Sequence, residues 1–277
     1  MEDTRTLLKK NHFSFKKQYG QNFLSDRAIL EEIVRLSGAG PDSHVLEIGA
    51  GAGTLTAALA ETAESVLSYE IDGKLRPVLT EALSGFSNVT VRYSDFLKED
   101  LAALEETLPP YLVVANLPYY ITSPLIMKFI DESNKALSLT VMVQDDVARR
   151  LCAKADTPEY GAITAMIARR ASASLLLPVP RQAFYPVPSV DSALVRLSFE
   201  ENRIPVRDPA LYRRTVRAAF LSRRKTLENN LIQAFSLSRD QAKHLLSEAD
   251  IPPMARGESL PPETLARLSN LLSDSLV

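Results

Sequence analysis

The sequence predicts an α/β protein with a seven-stranded, mostly parallel sheet, followed by a smaller all-helical domain. Three observations carry this prediction. From His44 to about Phe199, short β-branched or apolar runs alternate with stretches of helical periodicity, the pattern that βαβ units leave in a sequence. Beyond Phe199 the strand signal stops: Asn202–Pro209 reads as a polar linker with two prolines, and the remainder carries helical patterns only. The 277 residues suffice for one large and one small domain, at roughly 100–200 residues per domain. The expected domains are therefore 1–201 and 202–277, with residues 1–43 as a basic N-terminal segment ahead of the sheet.

In order, the strands fall at Val45–Ile48, Val66–Ile71, Val89–Ser94, Tyr111–Asn116, Leu139–Gln144, Ser174–Val179 and Ala193–Phe199. Each is a short run rich in β-branched, leucine or aromatic residues. Helices fit between them at Leu55–Glu61, Gly73–Ser84, Leu101–Thr107, Pro124–Asp131, Asp146–Lys154 and Tyr160–Arg170. The C-terminal helices run Pro209–Leu221, Lys225–Phe235, Arg239–Glu248 and Pro262–Leu272, with Ser238 and Pro261–Pro262 as start signals.

Apolar residues make up 45% of the chain and charged residues 24%, enough for a full hydrophobic core. Cys152 is the only cysteine, so no intramolecular disulfide can form and a cytoplasmic address is expected. The N-terminal stretch, with Lys9, Lys10, Lys16 and Lys17, lacks the apolar centre of a signal peptide, and no apolar run approaches the roughly 18 residues that span a bilayer. The net charge of −2 does not itself favour nucleic acid, but charge distribution matters as well as its sum. Arg203, Arg207, Arg213, Arg214, Arg217, Arg223, Arg224 and Lys225 are opposed only by Asp208. Such a run suits a phosphate-binding surface, and equally the solvated face of a helix.

Chemistry concentrates at the strand ends. Val45 to Thr56 reads as a strand, a glycine turn through Gly49, Gly51 and Gly53, and a helix start. Glycines there leave no Cβ between the main chain and a ligand lying across the strand end. Glu70, at the end of the next strand, is placed to accept both hydroxyls of a ribose, and Asp95, after the third, to accept from an adenine amino group. The dinucleotide fingerprint requires a glycine at the sixth position, which here is Thr54, and no phosphate-binding P-loop is present. S-adenosyl-L-methionine has no pyrophosphate and needs neither device, so it is the expected cofactor.

The fourth strand ends in Asn116-Leu117-Pro118-Tyr119. Adenine N6 is a poor nucleophile because its lone pair is delocalised into the ring. The Asn116 side-chain oxygen and the Leu117 carbonyl are expected to accept its two hydrogens and to stabilise the positive charge that develops on methyl transfer. Pro118 fixes the backbone so that the Leu117 carbonyl points outward, and Tyr119 offers a face for the base. His12, His44 and His244 are scattered and the single cysteine cannot complete a zinc site, so no metal is expected.

Lys16 to Asp26, Glu47 to Thr56, Asn116 to Tyr119, Val143-Gln144 and Phe184 to Ser192 together resemble the small-subunit (16S) rRNA adenine N6,N6-dimethyltransferase family. Arg223 to Leu227 and Ala255 to Glu258 extend the resemblance into the helical end. It implies a Rossmann-like class I methyltransferase sheet and a lid containing Asn22 and Leu24 that closes over the cofactor, with Gly49, Gly51, Glu70, Asp95 and Asn116 completing that site. It further implies that Phe184 stacks on the target base opposite Tyr119, and that Arg223, Arg224 and Lys225 contact RNA. The implied substrate is a pair of adjacent adenosines near the 3′ end of 16S rRNA in the small ribosomal subunit, modified late in assembly, with a monomer as the default state. The rivals are the large-subunit rRNA adenine methyltransferases of macrolide resistance and a non-catalytic assembly factor on the same fold. Asp145-Asp146 departs from the Lys-Glu common in the family, which bears on RNA contacts rather than on the cofactor site.

Overall fold

The structure, a computed structural model, describes residues 4–13, 15, 22–200 and 203–275, and the side chain of Tyr119 is not among what it describes. Lys16 to Gln21 of the N-terminal motif therefore lie outside the described residues. Two compact units are present: Met1–Ala148 with Ser174–Phe199, and Arg149–Ala173 with Glu200–Val277.

The first unit is built on the seven predicted strands: β2 (His44–Ile48), β3 (Ser65–Tyr69), β4 (Val89–Arg92), β5 (Tyr111–Asn116), β6 (Ala136–Gln144), β7 (Ala171–Val179) and β9 (Ser192–Phe199). Their order is β4-β3-β2-β5-β6-β9-β7. The ladders joining β4, β3, β2, β5 and β6 are parallel, and β9 runs antiparallel to β6. Burial of both faces explains the nearly unbroken apolar runs of β5 and β6. From β2 the chain runs outward through β3 to β4 and then crosses back to β5 on the other side of β2, and the crevice beyond the strand ends at such a switch point is where ligands bind.

The helices of this unit include α3 (Thr54–Ala60), α4 (Arg76–Ala82), α5 (Leu101–Glu106) and α6 (Thr122–Glu132), at the predicted places. Two helices and two strands were not predicted: α1 (Thr4–Lys10), α2 (Arg27–Ser37), β1 (Phe23–Leu24) and β8 (Phe184–Tyr185). Helix α2 begins at Asp26, whose side chain accepts from Ile29 N at 3.2 Å, and ends at Gly38 in the left-handed region. Its buried face, Leu30, Ile33, Val34 and Ser37, has the spacing of an amphipathic helix, and the apolar members pack with Leu55 and Leu59 of α3. Asp145 and Asp146 form the first turn of α7 (Asp145–Leu151), where negative charge complements the helix dipole.

The second unit holds α8 (Ala162–Ala168), α9 (Pro209–Ala219), α10 (Leu227–Phe235), α11 (Arg239–Glu248) and α12 (Pro262–Ser275). Helix α9 packs on α8, α10 and α12. Asp208 caps α9 through Ala210 N and Leu211 N, and Ser238 and Gln241 form a reciprocal capping box on α11. Two buried tyrosines tie distant segments together: Tyr212 Oη donates to the Ala165 carbonyl at 2.8 Å, and Tyr160 Oη to that of Leu260 at 2.9 Å. Gly257 lies against the Ala219 carbonyl so closely that a Cβ would fall 2.2 Å from its oxygen. The expected boundary at 201/202 does not by itself separate the units, since residues 149–173 pack with the C-terminal helices. That grouping rests on contacts remote in sequence, which local periodicity does not reveal.

Candidate active site

A cavity of about 290 Å³ opens at the carboxyl ends of β2, β3 and β5, near the lower bound of the roughly 300–1,000 Å³ usual for small-molecule sites. Into its walls the fold brings Asn22, Leu24, Gly49, Gly51, Glu70, Asp95, Asn116, Leu117, Pro118 and Phe184, residues that the sequence singled out from widely separated segments.

The glycine turn forms one wall. Gly49 (φ +88°) and Gly51 (φ +56°) adopt left-handed conformations, and a Cβ at Gly51 would meet the Phe23 ring at 2.9 Å. The turn is held from below: Gly49 N and Ala50 N both donate to the Tyr69 carbonyl, at 2.8 and 3.0 Å. Glu70 holds it from the side, its Oε2 accepting from Gly51 N and its Oε1 from Asp72 N, each at 2.8 Å. Burial pushes the Glu70 carboxyl above its ordinary value, while the backbone donors Asp72, Gly51 and Ile71 oppose that shift. The carboxylate is not saturated by these donors and keeps acceptor capacity for a further one, such as a ribose hydroxyl. Asp95 Oδ1 accepts from Leu97 N at 3.1 Å and so caps the short turn Phe96–Lys98 at the cavity wall.

Beneath the turn lies Glu47, fully buried, whose Oε2 accepts the hydroxyls of Thr56 and Ser68 at 2.6 Å each. Burial pushes its carboxyl up to about 7, with the nearby Glu70 charge adding to the effect. The sequence included Glu47 in the motif without giving it a role.

Asn116 ends β5, opposite Met142 of β6, and the chain then turns through buried Leu117 and Pro118 (φ −54°). Ile121 N donates to the Pro118 carbonyl at 3.1 Å, so the turn passes directly into α6. The expected role of the Tyr119 side chain falls outside what the structure describes. Phe184 reaches the cavity from the far end of the sequence, because β8 pairs with β1 and sets Leu24 opposite Phe184. That pairing is reinforced by Ser25 N donating to the Ala183 carbonyl at 3.0 Å and by Thr54 Oγ1 donating to the Leu24 carbonyl at 2.9 Å.

Phe23, Ile71, Phe96 and Tyr120 also line the cavity and went unrecognised in the sequence. Each lies within two residues of one that was recognised, so adjacency was the available signal. Among the described residues, no group of three or more His, Cys, Asp or Glu side chains could hold a metal ion. Among the described residues, no helix is long and apolar enough to cross a membrane.

In the helical unit, Arg223 Nη2 donates to the carbonyls of Pro158 (3.0 Å) and Tyr160 (2.8 Å), and Nε lies 3.3 Å from Glu258. Its guanidinium thus holds loops of its own unit together. Lys225 Nζ reaches Gln233 Oε1 at 3.3 Å, and Arg224 is exposed beside it.

The family model for ribosomal RNA adenine dimethylase matches residues 12–274. The chain is 42% identical to the ribosomal RNA small subunit methyltransferase A of Geobacillus kaustophilus, covering 98% of this chain and 95% of that protein. Against the protein of the same name from Enterococcus faecalis it is 41% identical, with 97% and 94% covered. Among solved structures, the 23S rRNA methyltransferase ErmE aligns with a TM-score of 0.69 and 30% identity, over 91% of this chain and all of that one. A dimethyladenosine transferase from Plasmodium falciparum aligns with a TM-score of 0.76 and 24% identity over 92% and 98%, a likeness of fold.

Proposed function

This chain belongs to the ribosomal RNA adenine dimethylase family, and on that premise we propose that it methylates N6 of two adjacent adenosines near the 3′ end of 16S rRNA. Two methyl groups go to each nitrogen, giving N6,N6-dimethyladenosine, and the substrate is the small ribosomal subunit late in its assembly. The protein works as a cytoplasmic monomer. S-adenosyl-L-methionine, when bound, supplies an activated methyl group that needs neither metal nor strong base to be displaced.

The residues present fit that cofactor. Gly49 and Gly51 bring bare main chain to the cavity wall, where a Cβ would crowd Asn116, Leu117 and Phe23, and Glu70 offers a buried carboxylate with remaining acceptor capacity. Asp95 accepts from an adenine amino group, and Asn22 and Leu24 form the lid. The single observation that carries the reading is that Asn116 and Leu117 open into this same cavity.

There the Asn116 side-chain oxygen and the Leu117 carbonyl accept the N6 hydrogens of the target adenine. Both then stabilise the charge that develops on nitrogen, in a site already organised for it. Phe184 and Tyr119 hold the base, which has left its stack in the RNA to enter the cavity. The transfer releases S-adenosylhomocysteine and the methylated nitrogen gives up one proton to water, so a single N6 hydrogen remains and only one acceptor stays engaged during the second transfer.

The 30% identity to ErmE keeps a large-subunit substrate as the second reading. The 42% identity to a small-subunit enzyme, over nearly the whole of both chains, favours the first. Incubating isolated small and large subunits with the protein and labelled cofactor separates them. Label in small-subunit rRNA is expected, and label in the large subunit alone would reverse the choice.

A further inference from the structure

The turn that follows Asn116 continues into an aromatic residue for which the reaction just described has no use. Tyr120 lines the cavity and yet is 61% exposed, while Pro118 and Ile121 on either side are partly buried. Its position is not that of a loose loop tip. The hydrogen bond from Ile121 N to the Pro118 carbonyl closes the turn beneath it, and α6 begins at Thr122, anchored by the buried Leu125, Ile126 and Phe129. A ring so exposed adds little to the core, and an aromatic face carried on a hydrogen-bonded turn at the cavity rim is available to a base reaching beyond the cavity.

An adenosine that leaves its stack to enter a pocket also exposes one face of the nucleotide beside it, and this lost stacking is part of the cost of extrusion. A tyrosine ring at the rim replaces the missing neighbour, and does so for any base, since every base has a π-face. We propose that Tyr120 stacks on the nucleotide adjacent to the target adenosine, so that one base occupies the cavity while its neighbour is held at the mouth. The inference rests on the RNA-adenosine reading above and adds a subsite to it. In a substrate with two adjacent adenosines, the base held at the rim is the other target, which keeps the pair in register through successive transfers.

The test compares wild type, Tyr120→Ala and Tyr120→Phe on unmethylated small subunits, with cofactor affinity measured separately by calorimetry using S-adenosylhomocysteine. Loss of one stacked base corresponds to a drop in affinity on the order of 5–150-fold. Tyr120→Ala should raise the KM for subunits within that range, with the loss concentrated in KM rather than kcat and the calorimetric affinity within about twofold of wild type. Tyr120→Phe, which keeps the ring and removes the hydroxyl, should recover most of the loss. A subunit KM unmoved by Tyr120→Ala overturns the inference. So does a parallel loss of affinity for S-adenosylhomocysteine, which would make the ring a wall of the cofactor site. Both outcomes leave the family reaction standing, whereas a wild-type protein that methylates no rRNA adenine overturns the function and the subsite together.

Discussion

Leu24 lies opposite Phe184 in the short antiparallel pairing of β1 with β8, so one ladder joins the proposed cofactor lid to the proposed base-stacking ring. Thr54, at the start of α3, fixes this ladder to the glycine turn through its bond to the Leu24 carbonyl. Removing that hydroxyl leaves a buried carbonyl unpaired, at a cost of about 1–3 kcal/mol. Thr54→Val is therefore expected to weaken cofactor binding and slow turnover together, and Thr54→Ser to restore both. Steady-state kinetics with the cofactor varied checks this, and a Thr54→Val variant with unchanged cofactor KM would uncouple the lid from the turn.

Asn116 acts on the reacting nitrogen in this account, and its loss should appear in chemistry before binding. Asn116→Ala is expected to lower the single-turnover rate by about 10²–10³, the range found when one preorganised polar group is removed from a transition state. Affinity for S-adenosylhomocysteine should fall far less, because Gly49, Gly51 and Glu70 remain. Unchanged turnover would remove Asn116 from the mechanism.

The basic cluster at Arg223 to Lys225 is expected to divide by role. Arg224 is exposed and the Lys225 ammonium is bonded to a neutral partner, Gln233, so Arg224→Gln and Lys225→Gln should each reduce the slope of log affinity against log salt by about one. Arg223 is committed to Pro158, Tyr160 and Glu258, so Arg223→Gln should act more on the stability of the helical unit than on that slope. Subunit binding measured over a salt series, paired with thermal unfolding, separates the effects. A full slope change at Arg223 with unaltered unfolding would reverse the division.

Glu47 gives stability a pH dependence of defined sign. Burial raises its carboxyl from 4.5 to about 7, so between those values the native state keeps a proton that the unfolded chain has released. Its contribution is therefore full below about pH 4.5 and is lost as the pH rises through about 7. Glu47→Gln cannot ionise, so its stability relative to wild type should improve from pH 4.5 to pH 8 by up to about 3 kcal/mol. Denaturant unfolding at several pH values measures the gap, and a gap that does not vary with pH would contradict the assignment.

The sheet was legible because parallel strands buried on both faces leave short apolar runs that periodicity detects. The cavity was legible at Gly49, Glu70, Asp95 and Asn116 because each stands where a strand gives way to a loop at the carboxyl edge of the sheet. Helix α2 lies in the stretch expected only as a basic and lid-bearing N-terminal segment, although Asp26, the Leu30, Ile33, Val34 spacing and Gly38 are helix signals present in the sequence. The pairing of Phe23 and Leu24 with Phe184 and Tyr185 is of another kind. Two residues carry no periodicity, and the partners lie some 160 positions apart, so only tertiary structure reveals that Phe184 and Leu24 share a wall. The same limit applies to residues 149–173, whose company with the C-terminal helices depends on bonds such as that from Tyr212 to Ala165.

The most direct test of the account is mass-spectrometric mapping of rRNA after unmethylated small subunits react with the protein and S-adenosyl-L-methionine. The prediction is N6,N6-dimethyladenosine at two neighbouring positions near the 3′ end of 16S rRNA, absent when Asn116→Ala replaces the wild type for the same interval. Methylation at another base or ring position, or an unmodified 3′ end after complete reaction, would contradict it.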